Sequence, residues 1–325
     1  MYLLAEPKYA GCNRLAEMLE DLSHDSVNRF LLRERYEPLD LFNEVKPYIK
    51  LVGGTLSCDD TIIDKPYSNP SLTELIGYFW SGKHHRIIKG VHLITLYYTD
   101  LSGRAIPIDY RIYDKREEKT KNEYFREMIT EVLTWGLQPR MITGDAWYSS
   151  NENLKLLKNQ KLSFLVGIAK NRKVSLGRCE YVRVENLEIP DSGLVVYLKN
   201  FGCVKVFQKS FKNEAKRYYI TYLPEIDTTE QITQQEFKQW HSIHWGIECY
   251  HRALKQLCCI ERFMVRTTQA IHTHIFCSIR AFTQLELMRA EELIKNWYEV
   301  QRNLYLQVAR EFILKHLKHQ VAPNS

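Results

Sequence analysis

Three acidic residues stand in sequence contexts that suit a catalytic metal site. Asp59 falls in a short run of β-prone residues, and Asp145 follows a second such run at Arg140–Thr143. Glu248 lies in a segment with helical periodicity. Carboxylate oxygens are the ligands that Mg²⁺ prefers, and three acids held together would repel one another without a cation. The pattern therefore predicts a metal site built from two strand ends and one helix.

Such a site has a defined chemistry on nucleic acid. Two ions about 4 Å apart activate the attacking oxygen and stabilise the leaving oxygen of a phosphodiester during in-line displacement. We therefore expect two Mg²⁺ ions, with Mn²⁺ as the alternative, held by Asp59, Asp145 and Glu248.

The helix predicted around Glu248 carries basic residues beside the acid. His241, His244, Glu248, Arg252 and Lys255 follow one another at helical steps and share one helix face. The apolar stripe that would dock this helix consists of Ile243, Ile247, Tyr250, Leu254 and Leu257. The basic face predicts contacts with phosphates. Trp245 is interpreted either as a base-stacking residue or as a core aromatic.

These residues resemble the DDE transposases of bacterial insertion sequences, in the branch with a β-rich insertion before the final acid. The family's first motif matches Asp59-Asp60-Thr61, and its second matches Gly144 to Ser149. Its third motif, Tyr-x2-Arg-x3-Glu-x6-Lys, matches 241–255 except that His replaces both Tyr and Arg. This register selects Asp59 as the first ligand, with Asp60 as the alternative.

The resemblance implies a metal-dependent reaction on double-stranded DNA. A transposase of this kind binds the terminal repeats of its element, cleaves there, and joins the freed 3′-OH to target DNA. The resemblance also implies that the protein acts as a homodimer in the synaptic complex. It further implies that His241, His244 and Lys255 contact the DNA end. Because a neutral His binds phosphate more weakly than Arg does, excision through a hairpin stays open. The alternatives are a nuclease that does not join DNA and an inactive relative that only binds it.

The order of predicted elements indicates an α/β, RNase H-like core. Three strands, a helix, a strand, a helix and a strand run from residue 51 to 169, and the Glu248 helix completes the core within 229–290. A β-rich insertion is expected at 170–228, where 11 Lys or Arg face 5 Asp or Glu between Lys170 and Arg217. That charge favours DNA, although a solvated face or a dimer contact would also explain it. A helical tail is expected from 291 to 325, with the helix that starts at Thr268 continuing to about Lys318.

The first 50 residues predict a helical DNA-binding region. Two short helices separated by a turn resemble a helix-turn-helix, which would present His24, Asn28, Arg29 and Arg33 to DNA. A plain helical hairpin packed on the catalytic domain explains the same pattern.

Composition places further bounds on the protein. Among 325 residues, Lys and Arg number 45 against 39 Asp and Glu, a mild excess that favours a polyanionic partner. Eight cysteines without paired spacing, and no signal peptide, predict reduced thiols in the cytoplasm. The resemblance to insertion-sequence transposases implies a bacterial cell and a location near the nucleoid. No apolar run is long enough for a membrane span.

Other polar candidates carry less weight. Asp64 and Asp109 are alternative acids outside the strand-end motif. His272, His274 and Cys277 lack a second ligand pair, so zinc is not expected. The basic turn Lys83–Arg86 is interpreted as a phosphate contact or a solvated loop.

Overall fold

The computed structural model describes residues 2–5, 11–19, 22–82, 84–177, 179–211, 215–225 and 231–303. The chain divides into two compact units. The first comprises residues 1–36, 67–74 and 250–325, and the second comprises residues 37–66 and 75–249.

The second unit contains a single sheet of 11 strands. Its strands are β1 (Thr55–Asp64), β2 (Gly77–Ser81), β3 (Arg86–Thr99), β4 (Ala105–Ile112), β5 (Met141–Gly144), β6 (Ser163–Ile168), β7 (Lys173–Ser175), β8 (Val182–Arg183), β9 (Leu194–Leu198), β10 (Gly202–Ser210) and β11 (Lys216–Tyr222). Strands β1, β5 and β6 are parallel neighbours, and β3 pairs antiparallel with β1, β2 and β4. The order β4-β3-β1-β5-β6 is that of an RNase H-like core, as the sequence predicts.

The basic segment after β6 extends this sheet. Strand β11 pairs antiparallel with β6, and the order then continues through β10, β9, β7 and β8. Phe207 and Tyr219 of this extension pack with Phe237 in a buried cluster, and the rings of Phe207 and Phe237 stack at 4.7 Å. Apolar burial therefore fixes the extension against the start of the helix that carries Glu248.

Eight α-helices are described. They are α1 (Tyr2–Ala5), α2 (Cys12–Leu19), α3 (His24–Arg33), α4 (Pro38–Val45), α5 (Lys121–Thr134), α6 (Asn151–Asn159), α7 (Gln234–Leu257) and α8 (Thr268–Ala290). Local capping determines where several of them begin. Thr120 and Glu123 form a capping box at the start of α5, while Ser150 caps α6 and Thr267 caps α8.

The first unit is helical where it is described. Helix α3 packs on α8, and the Tyr36 ring stacks on Phe276 with centroids 4.1 Å apart. The expectation of one helix from Thr268 to about Lys318 is wrong, because α8 ends at Ala290. Glu292 there has a left-handed φ of 59°, which ends the helix. Residues 304–318 lie outside the described part of the chain.

No helix in the described ranges combines the length and the apolar character that crossing a membrane requires.

Candidate active site

Two parallel strands bring Asp59 and Asp145 next to each other. Ser57 pairs with Thr143, and Cys58 pairs with Gly144, so the next position on each strand is an acid. Asp145 lies just past the end of β5, where its carboxylate accepts a hydrogen bond from the Trp147 amide at 2.9 Å. Asp145 therefore has the strand-end placement that the sequence predicts, whereas Asp59 lies in the interior of β1, just past the end of its pairing with β5.

Asp59 and Asp60 point to opposite faces of the sheet, because side chains alternate along a strand. Asp60 is held by three residues on its face. Lys121 donates to its Oδ1 at 2.8 Å, Tyr148 donates to the same oxygen at 3.0 Å, and His92 binds its Oδ2. Asp59 instead shares a face with Ser57, two residues before it.

Burial and neighbouring charge raise the pKa of Asp59 well above its ordinary value, with Asp60 and Glu248 as the repelling acids. The pKa of Asp60 moves the other way. Burial alone would raise it, but the hydrogen bond and charge of His92 and the charge of Lys121 lower it. Asp60 is therefore a stable anion inside its network, whereas for Asp59 burial and repulsion outweigh the influences that lower its pKa.

Asp145 has a raised pKa although solvent reaches much of its side chain. Loss of hydration among its neighbours is the largest cause, followed by the charges of Asp59 and Asp60, and together they raise the pKa to about 7. Near neutral pH, the Asp145 carboxyl therefore releases its proton readily when a cation binds there.

A hydroxyl pair connects the catalytic helix to the sheet. Thr143 Oγ1 donates to Ser57 Oγ at 2.8 Å and lies 2.9 Å from Nδ1 of His244 in α7. Because Thr143 has one proton to donate, this arrangement has His244 Nδ1–H donating to Thr143. Glu248 follows His244 by one helical turn, which places it toward the face that carries Asp59.

The donor set fits a divalent cation in its chemistry and charge. The repulsion that raises the pKa of Asp59 and Asp145 is the energy that a bound cation would relieve. As positioned, however, no three His, Cys, Asp or Glu side chains form a coordination shell within the described ranges.

His241 lies in a cationic cluster rather than beside the acids. Lys209 Nζ lies 3.3 Å from its Nδ1, and its Nε2 lies 3.1 Å from the Tyr219 hydroxyl. Burial, with the charges of Lys209 and Arg217, lowers the pKa of His241 to about 4. His241 is therefore a neutral hydrogen-bonding link at pH 7. The Lys209 and Arg217 cations lie 5.6 and 5.0 Å from the Phe211 ring centroid.

The other predicted residues of α7 are differently placed. Trp245 is 52% exposed, so it is not a core aromatic. Arg252 is exposed, and Lys255 Nζ lies 3.5 Å from Glu261 Oε1. Lys255 is thus partly neutralised within the first unit.

The predicted residues of the N-terminal hairpin are not equally available. His24, Arg29 and Arg33 are exposed on α3. Asn28 is half-buried, and its Oδ1 accepts a hydrogen bond from the Cys12 thiol at 3.2 Å.

The alternative acids have structural partners. Asp109 is buried against Arg111, and burial raises its pKa to about 7. Asp64 pairs with His84 at 3.5 Å. His274 Nε2 lies 3.1 Å from the carbonyl oxygen of Cys259.

Sequence reasoning missed the residues that surround Asp60 and His241. His92, Lys121, Lys209 and Arg217 come from separate elements, and their spacing in the chain gives no sign of their contacts. Tyr148 was visible in the Gly144–Ser149 motif, but its bond to Asp60 was not.

The chain matches one family of known proteins in sequence and superposes on solved structures of transposases. The family described as transposase DDE domain matches residues 56–283. No curated protein sequence matches the chain. A piggyBac transposase in a synaptic complex with hairpin DNA superposes with a TM-score of 0.57 at 15% identity, over 100% of this chain and 71% of that one. The Drosophila P element transposase in a strand transfer complex gives a TM-score of 0.27 at 9% identity, over 84% and 60%.

The family match spans both strands that carry the paired acids and the helix that carries Glu248. The superposition on piggyBac transposase supports the same fold. The chain therefore belongs to the DDE transposases, a family of enzymes.

Proposed function

We propose that this transposase cleaves DNA at the ends of its element and joins those ends to target DNA. The observation that carries the proposal is that Asp59 is buried beside the charge of Glu248 in α7, and that the charge of Asp59 in turn acts on Asp145 across two parallel strands. Acids held against their own repulsion are suited to binding a multivalent cation.

In this proposal Asp59, Asp145 and Glu248 hold two Mg²⁺ ions, with Mn²⁺ as the alternative. When bound, such ions supply activation of the attacking oxygen and stabilisation of the leaving oxygen. The surrounding residues hold the ligands in place. Lys121 and its neighbours bind Asp60 and so fix the strand beside Asp59.

DNA contacts are proposed on both sides of the acids. Lys209 and Arg217 place two cations around His241, where the family motif would have Tyr. Trp245 offers an exposed ring for stacking on a base, and Arg252 and Lys255 follow Glu248 along the same helix for phosphate contacts.

Recognition of the terminal repeats is assigned to the N-terminal hairpin. His24, Arg29 and Arg33 offer exposed polar groups for DNA. Asn28 contributes only if its bond with Cys12 opens. Following the family resemblance, we also propose that this chain pairs two DNA ends as a homodimer; the structurally similar piggyBac transposase was solved as a synaptic complex with hairpin DNA.

The test is a cleavage and strand-transfer assay on the DNA ends that flank the gene, with Mg²⁺ or Mn²⁺. Wild type is compared with Glu248→Gln, and Glu152→Gln is the matched control because that side chain is 76% exposed on another helix. We expect joined products in wild type and the control, and none in Glu248→Gln.

Each of the other outcomes would support a different function or a different metal ligand. Cutting without joining of a supplied pre-cut end identifies a nuclease. Binding without cutting identifies a relative that only binds DNA. Retained cleavage in folded Glu248→Gln removes Glu248 from the metal site.

A further inference from the structure

The β2–β3 hairpin presents an open face of aromatic and basic residues. Tyr78 lies opposite Lys89, and Trp80 lies opposite Ile87, so these four side chains share one face. Tyr78, Trp80 and Ile87 are 60%, 65% and 64% exposed. Three large apolar side chains thus form one patch, whose clustering calls for a partner.

The opposite face of the hairpin anchors it to the sheet. Phe79 lies 4.9 Å from the His92 ring and 6.0 Å from the Tyr113 ring, measured between centroids. These contacts fix the side-chain alternation of β2, because a slip of one residue would turn Phe79 outward. Exposure of Tyr78 and Trp80 is therefore imposed by the packing of their neighbour.

Strand register places the open face on the same side of the sheet as Asp59. Asp59 pairs with Thr95 of β3, and Lys89 and Ile87 have the same alternation as Thr95. The six residues from Thr95 to Lys89 span about 20 Å at about 3.3 Å per residue. A strand of DNA cut at Asp59 would reach the patch within about six to eight nucleotides, at about 3.4 Å per nucleotide.

Charge selects the partner. Lys89 lies on the open face, and residues 75–99 contain no Asp or Glu. Asp64, at the end of β1, pairs with His84 beside the hairpin. A second copy packed face to face would oppose like charges, whereas phosphates would be attracted. Aromatic rings beside a lysine suit a DNA strand, since every base offers a face for stacking.

We infer that this face binds the DNA strand next to the cleaved end. Tyr78 and Trp80 pack on bases or sugars, and Lys89 contacts a phosphate. The inference rests on the proposed function, because it takes Asp59 as the point of cleavage.

Photocrosslinking tests the location. Benzoylphenylalanine replaces Trp80 in the full chain, with Leu101, 70% exposed and in the same unit, as the matched control position. The probe is a duplex containing the DNA end that flanks the gene. We expect a crosslink from position 80 about six to eight nucleotides from the cut, and none at those nucleotides from position 101.

Binding variants supply the second measurement. By fluorescence anisotropy, the double variant Tyr78→Ala, Trp80→Ala should bind this DNA at least about fivefold more weakly than Leu101→Ala. Lys89→Ala should lower the slope of log affinity against log salt by about one. Unchanged thermal unfolding shows that the variants fold.

Two outcomes overturn the inference: equal DNA affinity in the folded double variant, or a crosslink from position 80 to a second protein chain. Neither measurement needs cleavage. A wild type that binds and crosslinks without cutting would therefore contradict the proposed function and leave this surface assigned to DNA.

Discussion

Asp59 and Asp60 are neighbours in one strand, yet their carboxylates occupy opposite electrostatic environments. Asp60 is bound by Lys121, His92 and Tyr148, and the hydrogen bonds and charges of His92 and Lys121 lower its pKa despite burial. Burial and the charges of Asp60 and Glu248 raise the pKa of Asp59. The alternation of a single strand thus gives one acid a structural environment and the other an environment that calls for a cation.

Substitution should separate these roles. Asp60→Asn leaves Lys121 buried without its anion and should lower the free energy of unfolding by about 3 kcal/mol. Asp59→Asn removes a repelled charge, so stability should hold or rise while metal-dependent cleavage is lost. Urea unfolding followed by circular dichroism, with cleavage assays on the folded variants, provides the comparison. The reverse pattern, with Asp60→Asn stable and inactive, would make Asp60 the ligand.

The raised pKa of Asp145 predicts a pH dependence with a definite sign. Its folded pKa of about 7 lies above the ordinary value of 3.8, so the unfolded chain ionises first as pH rises. Without metal, its contribution to stability therefore falls between about pH 4 and 7 and is level above that. Because solvent screens this exposed side chain, we expect a loss on the order of 1 kcal/mol.

The measurement is the difference in stability between wild type and Asp145→Asn at pH 5 and pH 7.5, without divalent ions. Taking the difference removes the contributions of Asp109 and His241 to the pH dependence of stability, since both have shifted pKa values and are present in both proteins. With Mg²⁺ present, stabilisation of wild type should grow with pH across 7, because binding displaces a proton. A difference that does not change with pH would show that Asp145 titrates normally.

The hydroxyl contact between Thr143 and His244 should hold α7 against the sheet. Thr143→Val keeps the side-chain shape but leaves Ser57 and His244 without that partner, so stability should fall by about 1 to 2 kcal/mol. Thr221→Val is the control, because the buried Thr221 hydroxyl has no hydrogen-bond partner within the described ranges. Equal stabilities from chemical unfolding would show that the contact does not hold the helix.

The sequence predicts much of the core because its signals are local. The β-prone runs predict the strands at Asp59 and Asp145, although Asp59 lies inside β1 and not at its end, and helical spacing predicts the helix of Glu248. The edge strand β2 was missed, because the run Gly77–Ser81 has consecutive aromatics instead of alternation. The end of α8 was missed as well, since Glu292 takes a left-handed φ that glycine usually provides.

The electrostatic setting of the site depends on contacts between distant parts of the chain. His92 and Lys121 reach Asp60 from 32 and 61 residues away. Motif register chose Asp59 over Asp60, but the physical difference between them requires strand pairing and the helix packed on each face. Likewise, the setting of His241 in α7 depends on Lys209, which lies on β10.

The cations around His241 predict a measurable titration. Its pKa of about 4 results from burial first and then from Lys209 and Arg217. Lys209→Gln should raise this pKa toward 6.5, and DNA phosphates should raise it also. NMR titration of ¹³C-labelled histidine, assigned with His241→Asn, would measure both shifts. A pKa that stays near 4 in Lys209→Gln would leave burial and the charge of Arg217 as its causes.

Trp245 provides a test of DNA contact beside Glu248. Its ring is 52% exposed, so Trp245→Ala should change the free energy of unfolding by less than about 0.5 kcal/mol. Loss of a stacking ring should weaken binding of the cleaved DNA end by about five- to tenfold, whereas Trp245→Phe should retain most of the affinity. Anisotropy with a pre-cut end measures the binding. Equal affinities for wild type and Trp245→Ala would exclude stacking, and a large loss of stability would instead assign the ring to the packing of α7.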